Sequence, residues 1–336
     1  MIIDYYYYHS LSDKEKKIYM AIYEAIKAHE ETVKFSNKEV SKVDFNKIIA
    51  CVIKDNPQLF YVDASMIKIS GELTSTKLEF IYKYDANEVA QLWNKLQACM
   101  GTYLSAVKDM TAADKALRIY EEMVNNNEYD FSDSIDSDCF QYNHTILGPL
   151  LEGKGVCEAF AKTYKLLLNA ADVKCLIVDG DSENIAQPGE DVGHSWNIVK
   201  VDDDCFHVDI TWAIGQGNTE YINYDYYGLS DQLIIEDHKN FVGTPKCSTD
   251  KYNYFVMNQS VAKSRDDMFE MIKAKINIPG RAYVRLDYEC DYMEESKACM
   301  EMIKEAVAND SYKVAIKSLG RPSQKILMIC LDKVMN

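Results

Sequence analysis

"EGKGVCEAFAKTYKLLLNAADV", residues 152–173, sets a cysteine just behind two glycines and just ahead of an apolar stripe. Val156, Phe160, Tyr164, Leu167, Leu168 and Ala171 recur at helical spacing, so the stretch is a helix that begins near Gly155 or Val156 and is held by core contacts along its length. Cys157 then falls on its first turn. Unpaired backbone N–H groups and the positive end of the helix dipole favour an anion there, and for a cysteine that anion is the thiolate. Gly153 and Gly155 permit a sharp turn into the helix and keep side chains away from the sulfur. The same pattern also fits a buried structural cysteine, so a nucleophile is implied only if the chain supplies a base and a group to orient that base.

Both are available in "VGHSWNIVKVDDDCFHVDITW", residues 192–212. Two β-rich runs flank the turn residues Asp202 and Asp203, which reads as a β-hairpin. With those residues at the turn centre, Val201 faces Asp204, His194 lies opposite Thr211, and Asp209 is a diagonal neighbour of His194 on the same face. His207 competes with His194, because Cys205, His207 and Asp209 alternate onto that face. Three such residues could ligate a metal, but no second cluster offers further ligands, so His207 is read as a packed or hydrogen-bonded strand residue. His194 is preferred because Gly193 opens space beside it. "DGDSENIAQPGE", residues 179–190, offers Asp179, Asp181, Glu183 and Glu190 in partial imitation of a calcium loop. Asn184 stands where that loop needs glycine, and the stretch is read as a solvated, mobile loop bordering the site.

The bulk numbers set the frame. A chain of 336 residues, 47% hydrophobic and 27% charged, has room for two or three cored domains. A net charge of −16 and a pI near 4.9 oppose binding to phosphate backbones or anionic lipid, so neither nucleic acid nor a membrane is expected as a partner. Ten cysteines without a CxxC pair, mostly inside apolar segments, read as free thiols of a reducing compartment. The opening "MIIDYYYYHS" does not resemble a signal peptide, which points to the cytoplasm, or to secretion if a leader has been removed.

Along the chain, Ser12 with Glu15 makes a capping box for a first helix bearing Ile18, Tyr19, Ile22, Tyr23 and Ile26 on one face. A second helix runs from about Asp44 to Lys54. "LFYVDASMIKIS" and "KLEFIYKY" read as strands, followed by a long helix through Val89 and Leu104 and another from about Ala112 to Val124. Beyond the stretch "NNNEYDFSDSIDSDC", read as an acidic loop, lies the segment with chemistry. Past Pro245 the pattern gives a short strand near Tyr254, a helix over Met268–Ile276, the strand "AYVRLDY", a helix over Met293–Ala308, and the strands "YKVAIK" and "KILMICL", with "NIPG" as a hinge. The domains expected are 1–110, helical with a β-hairpin; 111–245, carrying the chemistry; and 246–336, a small α/β unit.

"GKGVCEAFA" around Cys157, "GHSWN" around His194 and "HVDITW" around Asp209 occur in the order and spacing of the transglutaminase-like superfamily of cysteine enzymes, which this chain resembles over roughly residues 112–240. "YDYYGLSDQLIIEDH" also looks like that family's continuation. The resemblance implies an α+β, papain-like core, with a helix carrying the cysteine and an antiparallel sheet carrying histidine and aspartate. It implies Cys157 as nucleophile, His194 as general base and then acid, and Asp209 as the group that orients the imidazole. Trp196, Asn197 and Trp212 match motif positions that shape and shield such a site. Ala159 and Ala213 depart from the residues common in the family. For the oxyanion, the Cys157 N–H is one donor, and Gln141, Tyr142 or His144 is a candidate second.

The chemistry implied is acyl transfer on a protein or peptide amide through a thioester, with no cofactor and no metal. Water as acceptor gives a protease or amidase, the preferred reading; a lysine amine gives a crosslinking glutamyltransferase. From a different class, the fold could serve as a binding scaffold with an idle triad. The sequence leaves oligomeric state, substrate and calcium dependence open.

Overall fold

The computed structural model describes residues 5–132, 142–183, 191–214, 221–275, 280–306, 312–321 and 324–333. Gln141, the 184–190 part of the loop read as mobile, and the hinge residues Asn277, Ile278 and Pro279 lie outside them.

The first part of the chain packs helices α1 (Tyr6–Ser10), α2 (Asp13–Lys27), α3 (Phe45–Asp55) and α4 (Ala86–Ala106) beside an antiparallel sheet of β1 (Thr32–Ser36), β2 (Lys68–Gly71) and β3 (Ser75–Glu79) in the order β1-β3-β2. Polar caps fix the helix starts. Ser12 and Glu15 form the expected box, Asp85 and Glu88 form another, and Asp44 accepts from the Lys47 N–H. The stretch 59–70 is a strand only from Lys68 onward; Ala64–Met66 is a 3₁₀ turn capped by Asp63, whose side chain accepts from the Ser65 N–H and draws the backbone out of the extended form.

Helix α5 (Ala112–Asn126) starts at Thr111 and leads into β4 (Glu128–Tyr129), which pairs in parallel with β5 (Lys154–Gly155). Between them a short π-type turn, Gly148–Glu152, ends at Gly153, whose φ of 65° is the left-handed region. Helix α6 (Cys157–Ala170) follows, where the periodicity placed it. Its buried face includes Phe160, Tyr164, Leu166, Leu167 and Leu168, each worth on the order of 1.5–3 kcal/mol relative to exposure.

That face lies against a five-stranded, wholly antiparallel sheet with the order β10-β6-β7-β8-β9, built from β6 (Lys174–Glu183), β7 (Asp191–Val201), β8 (Asp204–Val208), β9 (Tyr227–Leu229) and β10 (His238–Lys239). Val201 pairs with Asp204, the register expected from the turn. The hairpin is shorter than expected, however: its last pair is Asn197 with Val208. Asp209 leaves the sheet, and Ile210–Ile214 is helix α7, so His194 faces Gly180 of β6 and not Thr211. The cause is the Asp209 side chain, which accepts from the Trp212 N–H as a helix cap does. Residues 179–183, read as the start of a loop, complete β6.

Helix α8 (Asp231–Ile234) links β9 to β10. The remainder comprises α9 (Tyr254–Met257), β11 (Val261–Ala262), α10 (Arg265–Lys275), β12 (Gly280–Leu286), α11 (Tyr292–Ala306), β13 (Tyr312–Arg321) and β14 (Gln324–Lys333), with sheet order β11-β12-β14-β13. The strand expected near Tyr254 is α9, because Asn253 caps the Phe255 N–H. Met268, Ile272, Val284, Cys299 and Ile303 form a separate apolar cluster here. Among the described residues no helix is long and apolar enough to cross a membrane.

Candidate active site

Cys157 is the first residue of α6, half-buried, and no side chain caps that helix start. The segment before it crosses the same end: the Val156 N–H donates to the Asn143 carbonyl. His194 sits early in β7, only 7% exposed, and its imidazole is close enough to the Cys157 side chain to interact with it. Its Nε2 lies 2.6 Å from Asp209 Oδ2. Asp209 is fully buried; its Oδ1 takes the Trp212 N–H at 3.1 Å and its own N–H donates to the Tyr226 carbonyl.

The charges reinforce this order. Burial works against a charged His194, but the Asp209 carboxylate and the Cys157 side chain outweigh it and hold the imidazole well above its ordinary range. Burial likewise works against an ionised Asp209, and the facing imidazoles overcome it, keeping the carboxyl well below its ordinary range. An ionised carboxylate only accepts, so His194 must present N–H at Nε2. Nδ1 is then the nitrogen left to exchange a proton with the sulfur. The helix, the middle of the sheet and the strand-to-helix turn at Asp209 thus bring Cys157, His194 and Asp209 together.

A family model described as the transglutaminase-like superfamily matches residues 102–210, the span that holds Cys157, His194 and Asp209. No curated protein matches the chain. Among solved structures, one described as a TGase aligns with 12% identity and a TM-score of 0.32 over 43% of this chain and 44% of that one. A candidate cysteine protease from Cytophaga hutchinsonii aligns at 14% and 0.28, over 43% and 61%, and a candidate protease from Parabacteroides distasonis at 10% and 0.26, over 80% and 62%. In each case the alignment spans less than two thirds of the other chain.

The other residues singled out in the sequence play separate parts. Trp196 is buried and stacks on His194, ring centroids 5.9 Å apart, which fixes the tilt of the imidazole. Asn197 points the other way and donates to the Ala161 and Leu176 carbonyls, tying α6 to β6. Trp212 is half-buried against Tyr226 and His238. Tyr142 is half-buried, and His144 Nδ1 is engaged by Glu158 at 3.2 Å. His207 is fully buried: its Nδ1 accepts from Trp196 Nε1 at 3.0 Å, so its Nε2 carries the hydrogen that faces Asp231 at 2.9 Å.

Among the described residues, two groups bring potential metal ligands within 4.8 Å of one another: His194 with Asp209 and His238, and His207 with Asp231 and Cys247. In the second, the Trp196 bond leaves His207 Nε2 protonated, a donor and not a ligand lone pair. In the first, Asp209 Oδ2 receives both imidazoles as hydrogen-bond donors. His238 is the residue that sequence reading missed. It closes the stretch "YDYYGLSDQLIIEDH", and the signal available was an acidic neighbour, Asp237, directly before a histidine.

Proposed function

We propose that this chain is a cysteine-dependent enzyme that transfers the acyl group of a protein or peptide amide to water. The observation that carries the reading is the imidazole of His194, set beside the Cys157 side chain and hydrogen-bonded at 2.6 Å to a buried carboxylate. Cys157 gives its proton to Nδ1 and attacks the carbonyl carbon. The oxyanion lies toward the uncapped first turn of α6, where the Cys157 N–H is a donor. The imidazolium protonates the departing amine, leaving a thioester, and His194 then takes a proton from water as that water attacks the thioester carbon and frees the sulfur. Asp209 keeps Nδ1 turned toward the sulfur and stabilises the cation.

A cavity of about 120 Å³ is lined by Pro57, Phe60 and Ser65 from the first part of the chain and by His144, Glu158 and Lys162 from the part that carries Cys157. We assign residues 1–110 to recognition on that basis, residues 111–245 to chemistry, and residues 246–336, with their own apolar cluster, to a separate unit.

The test is incubation with glutamine-containing peptides, with and without an added primary amine, read by mass spectrometry. Chain cleavage or a gain of about one mass unit from amide hydrolysis, lost in Cys157→Ala, is the expected result. Amine incorporation in preference to hydrolysis refutes the choice of water, and product that survives Cys157→Ala refutes the thiol mechanism.

A further inference from the structure

His238 is 0% exposed, and both of its ring nitrogens face carboxylates: Nε2 lies 2.9 Å from Asp209 Oδ2, and Nδ1 lies 2.6 Å from Asp237 Oδ1. Asp237 is anchored in turn, its Oδ2 accepting from the Tyr226 hydroxyl at 2.8 Å. The ring is enclosed by Trp196, 4.9 Å away and edge-on, and by Trp212, with the His194 ring 5.3 Å away. Its backbone is pinned as well, because β10 pairs with β6 through His238 and Ser182.

We propose that His238, clamped by Asp237, is a positioning residue that acts through Asp209. Asp209 is ionised and can only accept, so Nε2 of His238 donates to the same oxygen that takes the His194 hydrogen. Without that donor, Oδ2 would hold one partner in a site closed to water, and the carboxylate could rock about its axis between His194 and the Trp212 N–H. With it, three donors from β7, β10 and α7 converge on two oxygens and fix the carboxylate plane, and hence the direction in which His194 aims Nδ1. A buried histidine placed only for packing would need one carboxylate, not a second one supported from behind.

This inference rests on the pairing of Cys157 with His194, and its test separates the two. Glutamine and asparagine imitate different halves of imidazole: His238→Gln extends an amide toward Asp209, whereas His238→Asn stops at Asp237. Proton and nitrogen NMR of the imidazole side chains, with the His194 Nε2–H signal assigned by its loss in His194→Gln, reports the bond to Asp209 directly. Alkylation of Cys157 by iodoacetamide at pH 6, read by peptide mass, reports its effect on the sulfur. In His238→Asn the His194 signal shifts or broadens and alkylation slows by roughly fivefold, the equivalent of one net hydrogen bond; His238→Gln restores both. Folded variants that behave alike, or that leave signal and rate at wild-type values, overturn the proposal.

Should either variant fail to fold, Asp237→Asn, at a less buried position, removes the charge behind His238. The His194 signal then moves as in His238→Asn, and an unmoved signal counts against the clamp. If no peptide is turned over but the signal still distinguishes asparagine from glutamine, the enzymatic reading fails and the positioning stands.

Discussion

Replacing Asp209 by asparagine keeps the shape of the side chain and reverses its hydrogen bonding. Oδ1 of the carboxylate accepts from the Trp212 N–H, and Oδ2 accepts from Nε2 of both His194 and His238. If the amide oxygen stays on Trp212, the NH₂ group meets two imidazoles and each must turn a lone pair toward it. His194 then carries its hydrogen on Nδ1, facing the sulfur, and cannot accept the thiol proton. The opposite amide orientation sets NH₂ against the Trp212 N–H and leaves that donor unsatisfied at a cost of about 1–3 kcal/mol, so the first is adopted. An ordinary thiol is about 0.3% ionised at pH 6, so an ion-paired sulfur can gain up to about 300-fold in thiolate, part of which its weaker nucleophilicity returns. Iodoacetamide labelling of Cys157 at pH 6 is therefore expected to slow about tenfold or more in Asp209→Asn, and turnover to fall by about 10³-fold or more, while circular dichroism shows a folded protein. Wild-type labelling in a folded Asp209→Asn variant would refute the claim that this carboxylate sets the tautomer of His194.

Three further outcomes follow from other contacts. A Cβ at Gly180 would lie 2.5 Å from the Lys239 carbonyl and 2.8 Å from Trp196 Cη2, so Gly180→Ala should cost about 1–3 kcal/mol in chemical denaturation, whereas Gly193→Ala, with nothing within 4 Å, should be neutral; equal effects contradict the packing described. Trp196→Phe removes the donor to His207 Nδ1 and should lower stability by about 1–3 kcal/mol, visible as a melting point several degrees lower. Asp55 is fully buried, and burial raises its carboxyl to about 6 despite the opposing Lys165 charge and the donors Tyr7 N–H, Tyr8 N–H and Tyr19 hydroxyl. A carboxyl raised in the folded state binds its proton more tightly than in the unfolded chain, so its contribution is most favourable below pH 4 and declines as pH rises through 6, by up to about 3 kcal/mol. The stability of wild type minus that of Asp55→Asn should fall across that window, and parallel curves would contradict the sign.

Most of the helices were legible because their signals are local: a Ser or Asp cap, an apolar stripe, a stop. Cys157 at a helix head and the Val201–Asp204 turn belong to this class. The end of the hairpin was not legible, since nothing in "HVDITW" distinguishes a strand aspartate from one that folds back to cap the next turn. Lys165 shows the same limit from another side. Its charge would place it on a solvated face, yet it is fully buried with Nζ donating to the Cys175 carbonyl at 2.7 Å, a partner supplied by a strand that periodicity within the helix does not reveal. His238 stayed hidden because its two carboxylate partners come from positions 29 residues and one residue away, and only the sheet order shows that both meet it.

That order has a metric consequence. His194 and His238 ride on strands separated by a single strand, β6, and pair with Gly180 and Ser182 of it, so their backbones stand about two inter-strand spacings apart across the sheet, roughly 9.6 Å, and two residues apart along it, while their rings close to 5.3 Å around one oxygen. The gauge between the two imidazoles is thus set by peptide hydrogen bonding, whose spacing varies little from one sheet to another. Loops around the sheet can lengthen or change composition freely, provided that the middle strand keeps both neighbours.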